Sequence, residues 1–413
     1  MFHHSSPPPR KRWIAPLAAL AALCGSAFAQ NLSMQVADPN PLGIGNFIPS
    51  SQDLDLGLTG TVKGAFAYGC EAETAYNSNF FLTADDEDDE LSLIFSPWIR
   101  YISDPEGGAN LSFNANYQPV MRSYADNSDL NGMDQAGDFS VRLQGVKTDI
   151  SVFGRYEGMS GTDRLTGEFV EGAVMPGGIR ANRQIASRTS LNAGWSAAKS
   201  SFDSSDSEGA EVYTTSVGGM WDASQRVSVG STVRYTISES DNTGTRDAWA
   251  LLMEARYKAG EKIWLSASLG PEYAVTSGAG NDDSSLGLTG EIAARYDIND
   301  RWMWTTSVRN ATIPSPSETN YLVNDILFTT ALQHQLTRGS VTGGLEYRFS
   351  DYEDVGTVTT TRGDENNLSG FVSYNRNFFQ DRLAFDTTLR YTTNKGQTDW
   401  DQVLVSMGVN FRF

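Results

Sequence analysis

The chain has 413 residues, with 31 basic against 50 acidic side chains and a formal net charge of −19. That balance excludes nucleic acid as a partner class, because phosphate binding needs clustered Lys and Arg. Only 39% of residues are hydrophobic, and no window of 18 consecutive apolar residues follows the first 29, which excludes a transmembrane helix there.

The first segment reads as an export signal. Arg10, Lys11 and Arg12 form a basic region, Trp13 to Leu23 is apolar, and Ala27-Phe28-Ala29 is a small-x-small cleavage site. An apolar run this short falls below the ~20 residues that a helix needs to cross a bilayer. Residues 1–29 are therefore expected to be a cleaved signal peptide. Losing three of the 31 basic residues and none of the 50 acidic ones takes the charge from −19 to −22. One cysteine, Cys70, and one histidine, His334, remain, so no internal disulfide is possible. Residues 30–56 carry no strand pattern and are expected to be a periplasmic lead-in or a segment folded into a lumen.

From residue 57 onward apolar and polar residues alternate with period two, the mark of a strand with one apolar face. The alternation predicts strands over 60–77, 91–102, 110–122, 138–146, 149–159 and 179–187. It continues over 190–201, 210–221, 226–238, 247–258, 262–274 and 285–297. The last six expected strands are 301–312, 321–335, 340–350, 368–378, 382–393 and 400–413. Short turns, such as Lys147-Thr148, Gly260-Glu261 and Arg338-Gly339, recur between longer polar loops, such as Ser238 to Arg246, Ser277 to Ser285 and Asp351 to Asn367. Short turns on one side and long loops on the other characterise outer-membrane barrels. The expected fold is thus all-β: a closed antiparallel transmembrane β-barrel of about 18 strands (16–18) over residues 57–413, with both termini periplasmic. A uniform hairpin pattern of this length with no linker argues against a soluble sandwich, and a closed barrel leaves no unpaired sheet edge in lipid. Trp302, Trp304, Tyr257, Tyr296, Phe378, Phe379, Phe411 and Phe413 gather beside the short turns, where an aromatic girdle belongs.

The polar faces supply the candidate site. Arg142, Arg155, Glu157, Arg234, Glu254, Arg256, Glu291, Arg295, Glu346, Arg348, Asp386 and Arg390 fall on the inward face and are expected to line a pore. The alternative role for the same charges is a network of ion pairs that ties the wall together. The stretch from Gly161 to Gly178 reads as a loop, and its Asp163, Glu168 and Glu171 are candidates for an acidic constriction, weighed against an ordinary external loop. The run Asp85-Asp86-Glu87-Asp88-Asp89-Glu90 has hard oxygen ligands but no EF-hand spacing, so a solvated acidic loop is the favoured reading over a Ca²⁺ site. No HExxH, CxxC, P-loop or GxSxG motif is present. No metal or cofactor is expected, and a single histidine beside a short turn argues against an enzyme.

Two resemblances add to this. The amphipathic final strand, with Val409, Phe411 and the terminal Phe413 on one face, resembles the signal read by the bacterial barrel-assembly machinery. Tyr76-Asn77-Ser78-Asn79-Phe80-Phe81, then Ser96-Pro97, then Tyr124-Ala125-Asp126-Asn127-Ser128-Asp129, then Ser187-Arg188-Thr189-Ser190-Leu191, resemble the β-barrel porin-2 family in order and spacing. The first motif departs from the family's pattern, which usually has aspartate where Asn77 stands. The resemblance implies an outer-membrane barrel of exopolysaccharide-locus type and carries no catalytic residues. Expected partners are outer-membrane lipid, lipopolysaccharide and the assembly machinery. Two functions follow: a porin-like passive channel for ions and small hydrophilic solutes, or an exopolysaccharide export or assembly barrel without an open general pore, with a polysaccharide as partner. Net acidity favours cations at the mouth, whereas the inward arginines favour anions.

Overall fold

The computed structural model describes residues 65–84, 87–103, 111–162, 169–202, 209–240, 244–278, 281–314, 321–354, 363–379, 382–396 and 398–413. The expected signal segment, the lead-in 30–56, Asp163 and Glu168 lie outside the described residues. Eighteen strands are present among the described residues. They are β1 (Ala65–Asn77), β2 (Glu90–Ile102), β3 (Leu111–Tyr124), β4 (Gly132–Gln144), β5 (Thr148–Thr162) and β6 (Phe169–Ala186). Next come β7 (Thr189–Phe202), β8 (Ala210–Asp222), β9 (Val227–Ser240), β10 (Gly244–Ala259), β11 (Ile263–Gly278) and β12 (Asn281–Asn299). The last are β13 (Trp302–Pro314), β14 (Tyr321–Leu336), β15 (Gly339–Asp354), β16 (Glu365–Phe378), β17 (Leu383–Lys395) and β18 (Trp400–Arg412). One 3₁₀ turn, Ser128–Leu130, sits between β3 and β4.

Every strand pairs antiparallel with its sequence neighbours, and β1 pairs with β18, so the sheet is closed. The closing seam runs from Gly69 opposite Arg412 to Asn77 opposite Leu404. Its geometry depends on Gly69: a Cβ there would fall on the Phe411 carbonyl and on the indole of Trp98, which lies over the glycine from β2. Phe413 closes the outside of the same seam. Its N–H donates to the Tyr68 carbonyl at 3.0 Å, and its ring stacks on Tyr68 at 5.5 Å.

Alternation assigns the two faces. On β10, Trp249, Leu251 and Met253 are 54%, 48% and 64% exposed, while the intervening Ala250, Leu252 and Glu254 are buried. Leu91, Leu93, Phe95 and Ile99 on β2, and Val217 on β8 beside Val233 on β9, continue the same outward band. An apolar surface that encircles a molecule in this way is untenable in water and natural in acyl chains. The outer face at the short-turn rim carries Tyr257, Tyr296, Trp302 and Trp304, with Trp302 stacked on His334 at 4.2 Å. The protein is therefore a transmembrane-type β-barrel.

The strands are longer at the long-loop rim than alternation alone indicates. The expected loops Ser238 to Arg246 and Ser277 to Ser285 shrink to residues 241–243 and 279–280, because β9–β12 continue past the apolar band. Beyond that band the residue types no longer alternate, yet hydrogen-bonded pairing persists, from Ser238 opposite Arg246 to Ser277 opposite Asp282. Gly161 to Gly178 is likewise corrected: β5 runs to Thr162 and β6 starts at Phe169, leaving six residues between them. The glycines of this stretch are strand residues. A Cβ on Gly178 would meet the Trp195 carbonyl and the ring of Phe153, so glycine there makes room for an inward phenylalanine. Glu171 is thereby an exposed strand residue opposite Ser160, not part of a long loop.

Candidate functional site: the inner wall and its mouth

Register places all twelve expected inward charges on the face opposite the apolar band. Arg142 stands opposite Ser112, Arg155 opposite Asp138, and Glu157 opposite Ala136. Arg234 faces Ser216, Glu254 faces Gly230, and Arg256 faces Ser228. Glu291 faces Arg309, and Arg295 faces Thr305. Glu346 and Arg348 face Ser369 and Asn367, while Asp386 and Arg390 face Gly408 and Leu404.

Several of these side chains are neutralised locally, along one strand or between near neighbours. Arg155 reaches Glu157 at 2.7 Å, Arg295 reaches Asp297 at 2.8 Å, and Arg142 pairs with Asp149. The tightest group lies on β9–β11. Glu272 accepts from Arg246 at 2.8 Å and from Arg234 at 3.1 Å, and Arg234 also donates to the Thr289 hydroxyl at 3.0 Å. All three charged partners are about nine-tenths buried. Nearby, the Thr232 hydroxyl donates to Glu254, and Arg348 lies 3.8 Å from Asp325, which also accepts from Ser350. Arg390 lies over the Phe371 ring at 5.3 Å, a cation–π contact that holds the guanidinium along the wall. Cross-strand hydroxyl pairs, Ser369 with Thr392 and Ser373 with Thr388, fill the floor between the long side chains.

The wall contains charges that the sequence reading did not single out: Glu71, Glu73, Arg100, Arg122, Asp134, Asp138, Arg180 and Arg246. Strand parity on β1 alone puts Glu71 and Glu73 inward, since Phe66 and Tyr68 are outward and exposed. Their partners were not readable. Glu71 accepts from Gln118 on β3 and from Asn410 on β18. Arg122 pairs with Asp134, and both meet the Ser160 hydroxyl, at 2.7 and 2.9 Å. Arg180 lies over Phe153 at 4.8 Å.

Exposure of the inner face varies with strand and with height. Arg100, Asn114, Asp138, Arg142, Arg155 and Asn182 on β2–β6 are exposed on the inner face. Inner-face Arg234, Arg246, Glu254 and Glu272 on β9–β11 are buried, as are Asp386, Arg390, Thr392 and Asn410 on β17–β18, and Glu71 and Glu73 on β1. On β2 and β3 the inner face is buried toward the long-loop rim, at Ile94, Ser96, Val120, Arg122 and Tyr124, so the exposed stretch of β2–β6 lies toward the short turns.

At the long-loop rim the resemblance motifs meet. Glu90, expected in a solvated acidic loop, is instead the first residue of β2 and 2% exposed. Its carboxylate accepts from the N–H groups of Ala125, Asp126 and Asn127 at 2.7, 3.1 and 3.0 Å, and from Asn127 Nδ2 at 2.7 Å. Phe80, from the first motif, packs against Tyr124, from the third, with ring centroids 5.3 Å apart. Among the described residues no group of three or more His, Cys, Asp or Glu side chains is arranged to hold a metal ion.

Comparison with family profiles finds no match, so the porin-2 resemblance gains no support there. Comparison with curated proteins also finds no match. Solved structures similar in architecture include the Pseudomonas aeruginosa protein OccK2 (OpdF), at 9% identity and a TM-score of 0.48, covering 85% of this chain and 99% of that one. Another is Pseudomonas aeruginosa OpdK with vanillate, at 11% identity and a TM-score of 0.46, covering 85% and 100%. A third is the FrpB iron transporter from Neisseria meningitidis, at 9% identity and a TM-score of 0.47, covering 84% and 81%.

Proposed function

We propose that this chain is an outer-membrane, porin-like channel that passes ions and small hydrophilic solutes, with water reaching the exposed inner face of β2–β6 on the short-turn side. The observation that carries this reading is the pairing of a closed eighteen-stranded barrel with a charged inner wall, part of which stays exposed. Barrels of 16–18 strands are wide enough to hold an aqueous path, whereas eight-stranded ones fill with their own side chains. The buried part of the wall is stiffened by local ion pairs, and the exposed part offers charges to passing solutes. The chemistry is transport, not bond making. Export by residues 1–29 and insertion through the terminal strand, with Val409, Phe411 and Phe413 outward, complete the proposal; lipopolysaccharide and the assembly machinery are its partners.

The test is single-channel conductance of the refolded barrel in a planar bilayer, with the reversal potential read under a salt gradient. Steady open steps are expected. Folded barrels that stay silent would remove the channel reading and favour the exopolysaccharide-associated barrel instead.

A further inference from the structure

The turn that leaves β1 does not stand away from the rim. Ser78 bonds to β18 in both directions: its N–H donates to the Val403 carbonyl at 3.0 Å, and its hydroxyl accepts from the Val403 N–H at 2.8 Å. Asn79 is wholly buried, at 0% exposure. Its Nδ2 donates to the carbonyls of Thr83 at 2.8 Å and Asp401 at 3.1 Å, and its Oδ1 accepts from the Thr83 N–H at 2.9 Å. Gln402, which stands on the inner face opposite Thr392, donates to the Asn79 carbonyl at 3.2 Å. The turn is therefore fastened to the lumen side of β18.

Its other end reaches β5 and β6. The Phe80 carbonyl accepts from the Thr162 hydroxyl at 2.6 Å, across 82 residues of sequence. The Phe80 ring, 3% exposed, lies against Tyr124 on the inner face of β3 and against Phe169 at 5.9 Å. From β1 to β5 there are four strand spacings, about 19 Å of wall at ~4.8 Å each. A turn that joins β18 to β5 over so few residues must cut across the mouth. Leu82 completes the arrangement, buried and with φ of 54°, a left-handed conformation that leucine avoids. Side chains from β5 and β18, together with the turn's own asparagine, thus fix one strained piece of backbone, and the group they hold in the mouth is a phenylalanine.

We propose that the turn formed by residues 78–83 is the size-limiting element of the long-loop mouth: anchored on β18 at one end, latched to Thr162 at the other and wedged in place by the buried Phe80 ring, it narrows entry to the lumen. This rests on the channel reading above.

The experiment compares the wild type with Phe80→Ala and Thr162→Val in planar bilayers, with neutral polymers of rising size as probes. Gel mobility with and without heating verifies that each barrel is folded. Phe80→Ala should raise single-channel conductance and admit a larger polymer than the wild type does. Thr162→Val, which frees the latch and keeps the ring, should lengthen current fluctuations with a smaller rise. A folded Phe80→Ala barrel with wild-type conductance and wild-type polymer cutoff overturns the proposal. A silent wild type with a conducting Phe80→Ala variant supports the wedge and removes the open-channel reading alone. If both are silent, Cys70→Ala/Phe80→Cys/Tyr124→Cys is treated with a short bis-thiol reagent. Cross-linking in the folded barrel keeps the wedge as a closure of the mouth, and failure to cross-link rejects it.

Discussion

Val217 tests the assignment of faces directly. It lies on β8 between Ala193 and Val233, 59% exposed, with apolar neighbours on both sides. The centre of Ala210–Asp222 is Ser216, so Val217 sits one residue past mid-strand. At ~3.4 Å per residue and a tilt of about 40°, that is roughly 3 Å from mid-height. An apolar band about 25 Å tall then leaves roughly 10 Å between Val217 and the nearer interface. A cation at that depth on the lipid face costs about 2–4 kcal/mol, or roughly a 30- to 700-fold shift toward the unfolded state. Val217→Arg should lose that much folding free energy in urea titrations of vesicle-inserted protein. Asn116→Arg, at mid-strand on the inner face of β3, should change it by less than about 1 kcal/mol, because lumen positions tolerate charge. If Val217→Arg folds as stably as the wild type while Asn116→Arg is the damaging change, the faces have been assigned the wrong way round.

Three further outcomes are expected. Glu272→Ala removes the carboxylate shared by the buried guanidinium groups of Arg234 and Arg246 and should cost about 3–5 kcal/mol in urea unfolding, with reversal potentials shifted toward anions, whereas Arg155→Ala, from a pair that is well exposed, should cost no more than about 1 kcal/mol. Glu90→Ala leaves three backbone N–H groups and the Asn127 amide without their acceptor, so a loss of at least about 2 kcal/mol should come with protease cleavage appearing within residues 125–131. Gly69→Ala puts a methyl group into the Phe411 carbonyl and the Trp98 indole and should destabilise the barrel by about 1–3 kcal/mol, read as a lowered temperature at which gel mobility shifts.

Much of the barrel was legible because lipid and water impose opposite demands on alternate residues. Leu251, Glu254 and Arg256 announce their faces without any structure, and the charges on that pattern, from Arg142 to Arg390, fall where parity places them. Legibility ends where that contrast ends. At Ser240, Gly244 and Ser277 the strands continue through polar residues and glycine, so nothing in the residue types marks continued pairing. Gly172, Pro176, Gly177 and Gly178 read as turn chemistry, yet they are strand positions where Phe202 and Phe153 press close to the backbone. The mouth was the least readable part. Its contacts join Phe80 to Thr162, and Asn79 to Asp401 and Gln402, and no local pattern encodes a partner 82 or more than 300 residues away. In the sequence the motif containing Asn79 and Phe80 carries only a resemblance, and its physical content is the turn that these residues build.

The seam between β1 and β18 also sets a condition on biogenesis. The two strands that must zip together are the first and the last of the barrel, and Glu71 waits for Asn410 from 339 residues further on. Until those final residues are delivered, the growing sheet has an unpaired margin on β1 and another on its newest strand, each a template for pairing with a stranger. A product released a dozen residues early would keep almost all of its hairpins and still have no closed form. Quality control that watches for free strand margins would recognise such a product whatever its sequence, and the final strand, short as it is, separates a finished molecule from an aggregation seed.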